Sequence, residues 1–537
     1  MTADHGVPVP TERNAPLAET PLTSERGLVA GVDSSTQSCK VVIVDPDTGQ
    51  ILRTGSAPHP AGTEVDPEAW WFALQEAISD AGGFTDIAAV SISGQQHGLI
   101  TLDQHGQVIR DALLWNDLRS DAAARALITE IGADEFVDRV GVVPVASFTG
   151  AKLRWLRDHE PENACRVAAV ALPHDWLTWR LLGYGPHDSA APRGPVLEAL
   201  VTDASDASGT AYFSAVTGRY DLDLFRTAFG ATAREAGAPK AEAAADIAPI
   251  ILPRVLQPHE SAGQTPEGIL VGPGAGDNAA AAFGLGAVPG DVVISIGTSG
   301  TVFSPTELKI NDPSGIVAGF ASADGGRLPL VATLNAARVL DSAAAVLRAS
   351  HTDVAALALA STPGADGLTL VPYFEGERTP NLPDATARLE GMTLANSSPE
   401  NIARAFVEGM LCGLADGLQA VLRQGLSVRR LLLIGGAARN PAVREVARDI
   451  FTVPIDVPEQ AEYVAIGAAR QAAWTLTGTS PRWQVELVAT LHPRPSRVRE
   501  QYRSFARTSV TDDNSPTHEK SHNDHRRSSG AHAPVEG

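Results

Sequence analysis

Asp277 stands in the stretch Gly274-Ala275-Gly276-Asp277-Asn278, after the apolar run Gly268-Ile269-Leu270-Val271 and before an alanine-rich run. That order reads as strand, glycine turn, helix. A carboxylate at such a turn lies where a ligand can reach it and can take a proton from a hydroxyl. Near the start, Asp33-Ser34-Ser35-Thr36-Gln37 joins two apolar runs. Its hydroxyls, amide and backbone N–H groups could bind phosphate, and by itself it is equally a polar hairpin turn. Gly94-Gln95-Gln96-His97-Gly98 closes a run, 87–93, that reads as a strand. A lone His is usually structural, but a Gln-Gln-His run between glycines suits hydrogen bonding to a polyhydroxylated ligand. Trp115-Asn116-Asp117 is either a sugar-facing group or a buried tryptophan beside a cap. Gly435-Gly436, after the apolar run 430–434, would let a flat ring or a phosphate lie against the backbone.

Other chemistries fit less well. There is no Gly-x4-Gly-Lys-Ser/Thr loop and no protein-kinase glycine loop with its downstream set. Gly274-x-Gly276-x-x-Ala279 matches a loose dinucleotide fingerprint, but a nicotinamide enzyme needs an acid at the end of the following strand, and Asp291 precedes its strand.

At 537 residues the chain exceeds one hydrophobic core, so two or more domains are expected. A net charge of −21 argues against nucleic acid as a partner. Three cysteines, Cys39, Cys165 and Cys412, are too few and too scattered for a disulfide framework or thiolate metal site, which fits a reducing compartment. No apolar run is expected to cross a membrane, and no signal core precedes residue 27, so a cytoplasmic enzyme with a loose arm over 1–26 is expected.

The elements that must carry these residues repeat. Apolar runs at 28–32, 40–44 and 50–57 read as three strands, and Asp66-Pro67-Glu68 opens a helix ending near 80. Residues 99–102 and 108–114 read as a hairpin. The span 120–160 reads as helices broken at 141–144 and 148–150. Leu172-Pro173-His174-Asp175-Trp176 starts another helix, 183–195 reads as a surface insertion, and 202–209 as an acidic, hydroxyl-rich loop. Strand 291–296, turn Gly297-Thr298-Ser299-Gly300 and return strand 301–304 then echo the opening hairpin, which suggests a duplicated fold with a cleft between the copies. Ser398-Pro399-Glu400 caps a long amphipathic helix, and the polar tail beyond 509 reads as disordered, His518, His522 and His525 included.

GVDSSTQSCK (31–40), SGQQHG (93–98), LWND (114–117), FTGAKL (148–153), LPHDW (172–176), SDASGT (205–210), GAGDNAA (274–280), SIGTSG (295–300), GERTP (376–380) and LIGGAARN (433–440) together resemble the FGGY carbohydrate kinases, above all the members that phosphorylate xylulose. The resemblance spans roughly 28–475 and rests on the order of the motifs. It implies an α/β protein of two actin-like ATPase (ribonuclease-H-like) domains, 27–272 and 273–508, with the active site in the cleft. It implies transfer of phosphate from ATP, with Mg²⁺, to D-xylulose, giving D-xylulose 5-phosphate. Asp277 would be the general base with Asn278 beside it, Gln96 and His97 the sugar contacts, and Asp33 the carboxylate near the metal. Thr36, Gln37, Ser38 and Lys40 would form the phosphate loop, Thr298 would be a phosphate contact of the second domain, and Gly436 and Asn440 its nucleotide contacts. Two departures stand out: Ser34-Ser35 where many members carry a glycine before the threonine, and the 183–202 insertion. Another sugar or polyol (ribulose, gluconate, erythritol) and a non-catalytic actin-like ATPase or sugar sensor are the competing readings, although the Gln96-His97 pair favours xylulose. A homodimer stays open.

Overall fold

The computed structural model describes residues 26–239 and 248–512, with side chains through Ala506. The expected N-terminal arm up to 25, and the tail from 513 with His518, His522 and His525, lie outside the described residues. A helix, Val498–Asp512, occupies the stretch where that tail was expected to begin.

Two seven-stranded sheets share one five-stranded core topology. In the first, β1 (Leu28–Ser34), β2 (Ser38–Val44) and β3 (Ile51–Pro58) form an antiparallel meander. β4 (Ile87–Gly94) then pairs parallel with β1, and β5 (Leu270–Val271) parallel with β4. In the second, β6 (Asp291–Ile296), β7 (Gly300–Phe303) and β8 (Arg327–Thr333) repeat the meander, and β9 (Arg430–Ile434) and β10 (Ile455–Pro458) add the parallel strands. Both central strands are apolar on both faces, as strands covered by helices on each side must be. Helix α1 (Pro67–Asp80) covers the first sheet; Asp66 caps it by accepting from the Glu68 N–H, and proline sits in its first turn.

Three further helices matter to the site: α2 (Pro173–Leu181), α3 (Asp277–Gly284) and α4 (Pro399–Arg423). Among the described residues α4 alone has the length and apolarity to cross a membrane, against the expectation of no such run, but 78% of that window is buried in the second lobe's core. Helix α5 (Tyr463–Thr477) returns from the second lobe and lies on β1 and β4 of the first, against α3. The approach is backbone to backbone. A Cβ at Gly31 would stand 1.9 Å from the Ala465 carbonyl, and one at Gly467 would stand 1.9 Å from that of Ala280. Only glycine permits both contacts.

Some expectations give way. The 99–114 hairpin survives only as isolated bridges, Leu99 with Leu113 and Leu102 with Val108. Ile100–Leu102 instead pairs with Ala169–Ala171, and Ala112–Leu113 with Glu64–Val65, because those partners offer buried apolar faces. The helix expected to break at 148–150 begins there, at Thr149–His159. The insertion at 183–195 is not wholly on the surface, since Gly183, Gly185 and Pro186 are buried. The acidic loop at 202–209 is buried throughout except for a half-exposed Ala204.

Candidate active site

Sheet register brings three motifs together. Across β1 and β4, Asp33 pairs with Ser93 and Ser34 with Gly94. On the other side of β4, Ala275 pairs with Ser93 and Gly276 with Gly94. The hydroxyl loop, the Gln-Gln-His turn and the Asp277 turn therefore leave adjacent strands at the same edge of the sheet. Residues some 240 positions apart become neighbours.

Asp277 is the first residue of α3, with Gly276 as its N-cap. It is half-buried, and its Oδ1 accepts from the Asn278 backbone N–H and from Asn278 Nδ2, both at 2.7 Å. Burial, then the charge of Asp33, raise its pKa to about 7 against those two hydrogen bonds. Asp33 is 4% exposed and accepts from Ser35 Oγ at 2.5 Å. Burial lifts it to about 6, opposed by Ser35 and by Lys40. Two carboxylates with raised pKa values, one of them raised in part by the charge of the other, suit a hard divalent cation such as Mg²⁺.

A cavity of about 370 Å³ lies between the lobes. Ser35, Lys40, Asp277 and Asn278 form part of its wall, and Gly436 and Glu462 part of the opposite one. A Cβ at Gly436 would meet nothing within 4 Å, so that backbone is open to a flat ligand. Lys40 Nζ bonds Glu462 Oε2 at 2.6 Å across the cleft. Other expected contacts stand outside this wall. Thr36 accepts from Trp115 Nε1 at 2.8 Å and donates to Gln95 Oε1 at 3.4 Å. Gln37 is exposed, Ser38 half-buried, and Thr298 exposed at the β6–β7 turn. Asn440 caps the helix Pro441–Ile450 by accepting from Ala442 and Val443 N–H, which leaves only its amide N–H groups for a ligand.

The Gln96-His97 turn is held by the buried segment 203–210. Gln96 Nε2 donates to the Ser205 carbonyl at 3.1 Å, and the Gly276 N–H donates to Ser205 Oγ at 3.0 Å. His97 has φ +70, a left-handed backbone uncommon outside glycine. Its Nδ1–H donates to the Gly209 carbonyl at 2.7 Å, which leaves Nε2 as an acceptor. Burial pushes the ring's pKa down to about 3, so it is neutral. The ring packs 4.7 Å from Phe148 and 5.7 Å from Phe320 of the second lobe. Trp115 reaches the hydroxyl loop, whereas Asp117 accepts from Thr63 Oγ1 at 2.8 Å and pairs with Arg119 at 2.8 Å as scaffold.

Sequence reasoning passed over several supports. His59 clamps the hydroxyl loop: its backbone N–H donates to Gln37 O at 2.8 Å and its Nδ1–H to Ser35 O at 2.7 Å. Lys152 is wholly buried, donates to the His97 carbonyl at 2.7 Å, and is held by burial well below the ordinary lysine range. His174, on α2, faces Asp206 Oδ2 at 2.6 Å and the Pro273 carbonyl at 3.3 Å. Both ring nitrogens thus face acceptors. Burial opposes the charged ring, but Asp175, Asp206 and Asp203 outweigh it and raise its pKa to about 10. A doubly protonated imidazole is no metal ligand, so the His174, Asp175 and Asp206 cluster is an ion pair braced behind the catalytic turn. LPHDW and SDASGT marked these positions; nothing in one dimension said that they meet.

Residues 28–284 match the N-terminal domain, and residues 292–476 the C-terminal domain, of the FGGY family of carbohydrate kinases. The chain belongs to this family. As an FGGY kinase it is similar to a xylulose kinase of Streptomyces rubiginosus, 42% identical over 481 residues, 86% of this chain and 92% of the relative. It is similar to that of Escherichia coli, 32% identical over 456 residues, 82% and 89% of the two chains. A crystal structure of xylulose kinase from Bifidobacterium adolescentis matches with a TM-score of 0.81 at 46% identity, over 90% of this chain and all of that one. The two sheets are therefore the two actin-like, ribonuclease-H-like domains of an ATP-dependent sugar kinase.

Proposed function

We propose that this FGGY kinase transfers the γ-phosphoryl group of ATP to D-xylulose, forming D-xylulose 5-phosphate. The observation that carries the proposal is Asp277, at a helix start on the cavity between the lobes, with its pKa raised to about 7. The xylulose kinases among its relatives supply the choice of sugar.

Asp277 accepts the proton of the attacking sugar hydroxyl as the bond to phosphorus forms, and Asn278 holds the carboxylate through its two donors. Gln96 and the neutral His97 orient the sugar, the latter through its free Nε2. Lys40 and Gly436, in the cavity wall, receive the phosphates and the nucleotide; Thr36, Gln37, Ser38 and Thr298, outside that wall, would add phosphate contacts and Asn440 a nucleotide contact once the cleft closes on ATP. Asp33, with Asp277 near it, would hold Mg²⁺. When bound, that ion supplies positive charge to the phosphate oxygens and to the two carboxylates. Cleft closure excludes water and aligns donor with acceptor. Three free thiols, two of them buried, fit the cytoplasm as the place of work.

A coupled ADP-release assay over a panel of ketoses, aldonates and polyols tests the reading. D-xylulose should give the highest kcat/KM. A higher value for ribulose, gluconate or erythritol reassigns the substrate, and no sugar-dependent turnover favours a sensor.

A further inference from the structure

Arg378 belongs to the second lobe, in the GERTP stretch between the strands Thr369–Val371 and Arg388–Glu390. Its backbone is anchored by its neighbour. The Glu377 carboxylate accepts from the N–H groups of Leu334, Arg378 and Thr379 and from Asn335 Nδ2 at 2.9 Å. That carboxylate is fully engaged and does not hold the arginine's guanidinium. Among the described residues, no carboxylate or carbonyl pairs with the guanidinium. It lies instead across the cleft, its Cζ 5.9 Å from the ring centre of Trp115 in the first lobe. Trp115 is the ring that bonds Thr36 of the hydroxyl loop. Arg378 also stands close enough to His97 for its charge to bear on that ring. A half-buried guanidinium with five donors, lying over a ring and unpaired with any described carboxylate or carbonyl, is free to donate to a ligand in the cleft.

We infer that Arg378 is a carbohydrate-binding residue contributed by the second lobe, donating to hydroxyl oxygens of a neutral sugar seated between Trp115, His97 and Gln96. The inference rests on the sugar-kinase reading and deepens it. Phe320, which packs on His97 from the same lobe, closes the site from that side too. The sugar would thus bridge the lobes, and its binding would draw them together before phosphate is transferred. Guanidinium suits this task because its planar fork presents paired donors in a fixed geometry, where an ammonium is a single point with rotatable donors.

The test is Arg378→Met and Arg378→Lys in the full chain. Sugar affinity is read by calorimetry without nucleotide and by KM, and ATP-analogue affinity is read without sugar. Losing hydrogen bonds from a charged donor should weaken D-xylulose roughly 10- to 100-fold. The lysine variant should fall between, and the ATP analogue should bind within about twofold of wild type. A Tm within about 2 °C of wild type would exclude simple unfolding. Unchanged sugar affinity and KM overturn the inference, as does a fall in kcat alone, which would assign the residue to the phosphoryl group. The wild-type assay separates the two readings. If wild type does not phosphorylate D-xylulose, the proposed function fails, and the Arg378 comparison is made on whichever panel sugar it does phosphorylate.

Discussion

Asp277 must be ionised to act as a base, and its folded-state pKa is raised to about 7 by burial and by Asp33. Activity should therefore rise with pH to a plateau, with a midpoint that Mg²⁺ beside the carboxylate draws below the metal-free value of about 7; a midpoint that does not move when Asp277 is replaced would remove the assignment. Asp277→Asn should lower kcat by roughly 100-fold or more while the Tm holds. His174 titrates in the other sense. Its folded pKa of about 10 lies above the ordinary 6.5, so its stabilisation is complete below about pH 6.5 and is lost as pH rises through about 10. His174→Gln leaves the buried Asp206 and Asp175 without their cation, at a cost on the order of 3 kcal/mol near neutrality. Urea melts of the two proteins should converge between about pH 7 and 10; a gap that stays constant would mean the ring is neutral.

At the scale of elements, the contact of α5 with β1 and α3 depends on missing side chains. Gly467→Val should collapse that contact, because its Cβ would stand 1.9 Å from the Ala280 carbonyl, and neither backbone can yield without shifting a helix. Gly413, inside α4, is the control: a Cβ there meets nothing within 4 Å. Gly413→Ala should raise stability by about 1 kcal/mol through helix propensity. Thermal melts check both, and a stable valine variant would show that α5 can slide. α1 and α4 were legible from cap and period alone, since Asp66 and Ser398 are true N-caps. The 99–114 hairpin was not, because strand partners are chosen by which apolar faces must be covered, and that choice is tertiary.

For the whole molecule, the division of the site predicts coupling. Asp33, Gln96 and His97 belong to the first lobe, and Gly436, Asn440 and Thr298 to the second. A sugar that draws the lobes together should tighten a non-hydrolysable ATP analogue, and by linkage the analogue should tighten the sugar equally, by about 1–3 kcal/mol. Calorimetric titration of each ligand with and without the other measures this. Independent affinities would mean the two sites do not share the cleft.

The sequence by itself determined the two copied strand–turn–strand openings, the turns that carry Asp33, Gln96, His97 and Asp277, and, through motifs in order, the kinase family. Those signals are local: apolar runs, glycine turns, caps and short polar clusters. Only the tertiary structure decided what meets what. Register across β1, β4 and the 275–276 bridge set three motifs side by side. Close packing buried the acidic, hydroxyl-rich loop that holds Gln96, His97 and Gly276. Burial, rather than residue type, set the charge states of Asp277, His97 and Lys152, and the buried carboxylates around His174 set that of its ring. Reach across the cleft brought Arg378 to Trp115 from 263 positions away, a distance at which no local spacing carries information.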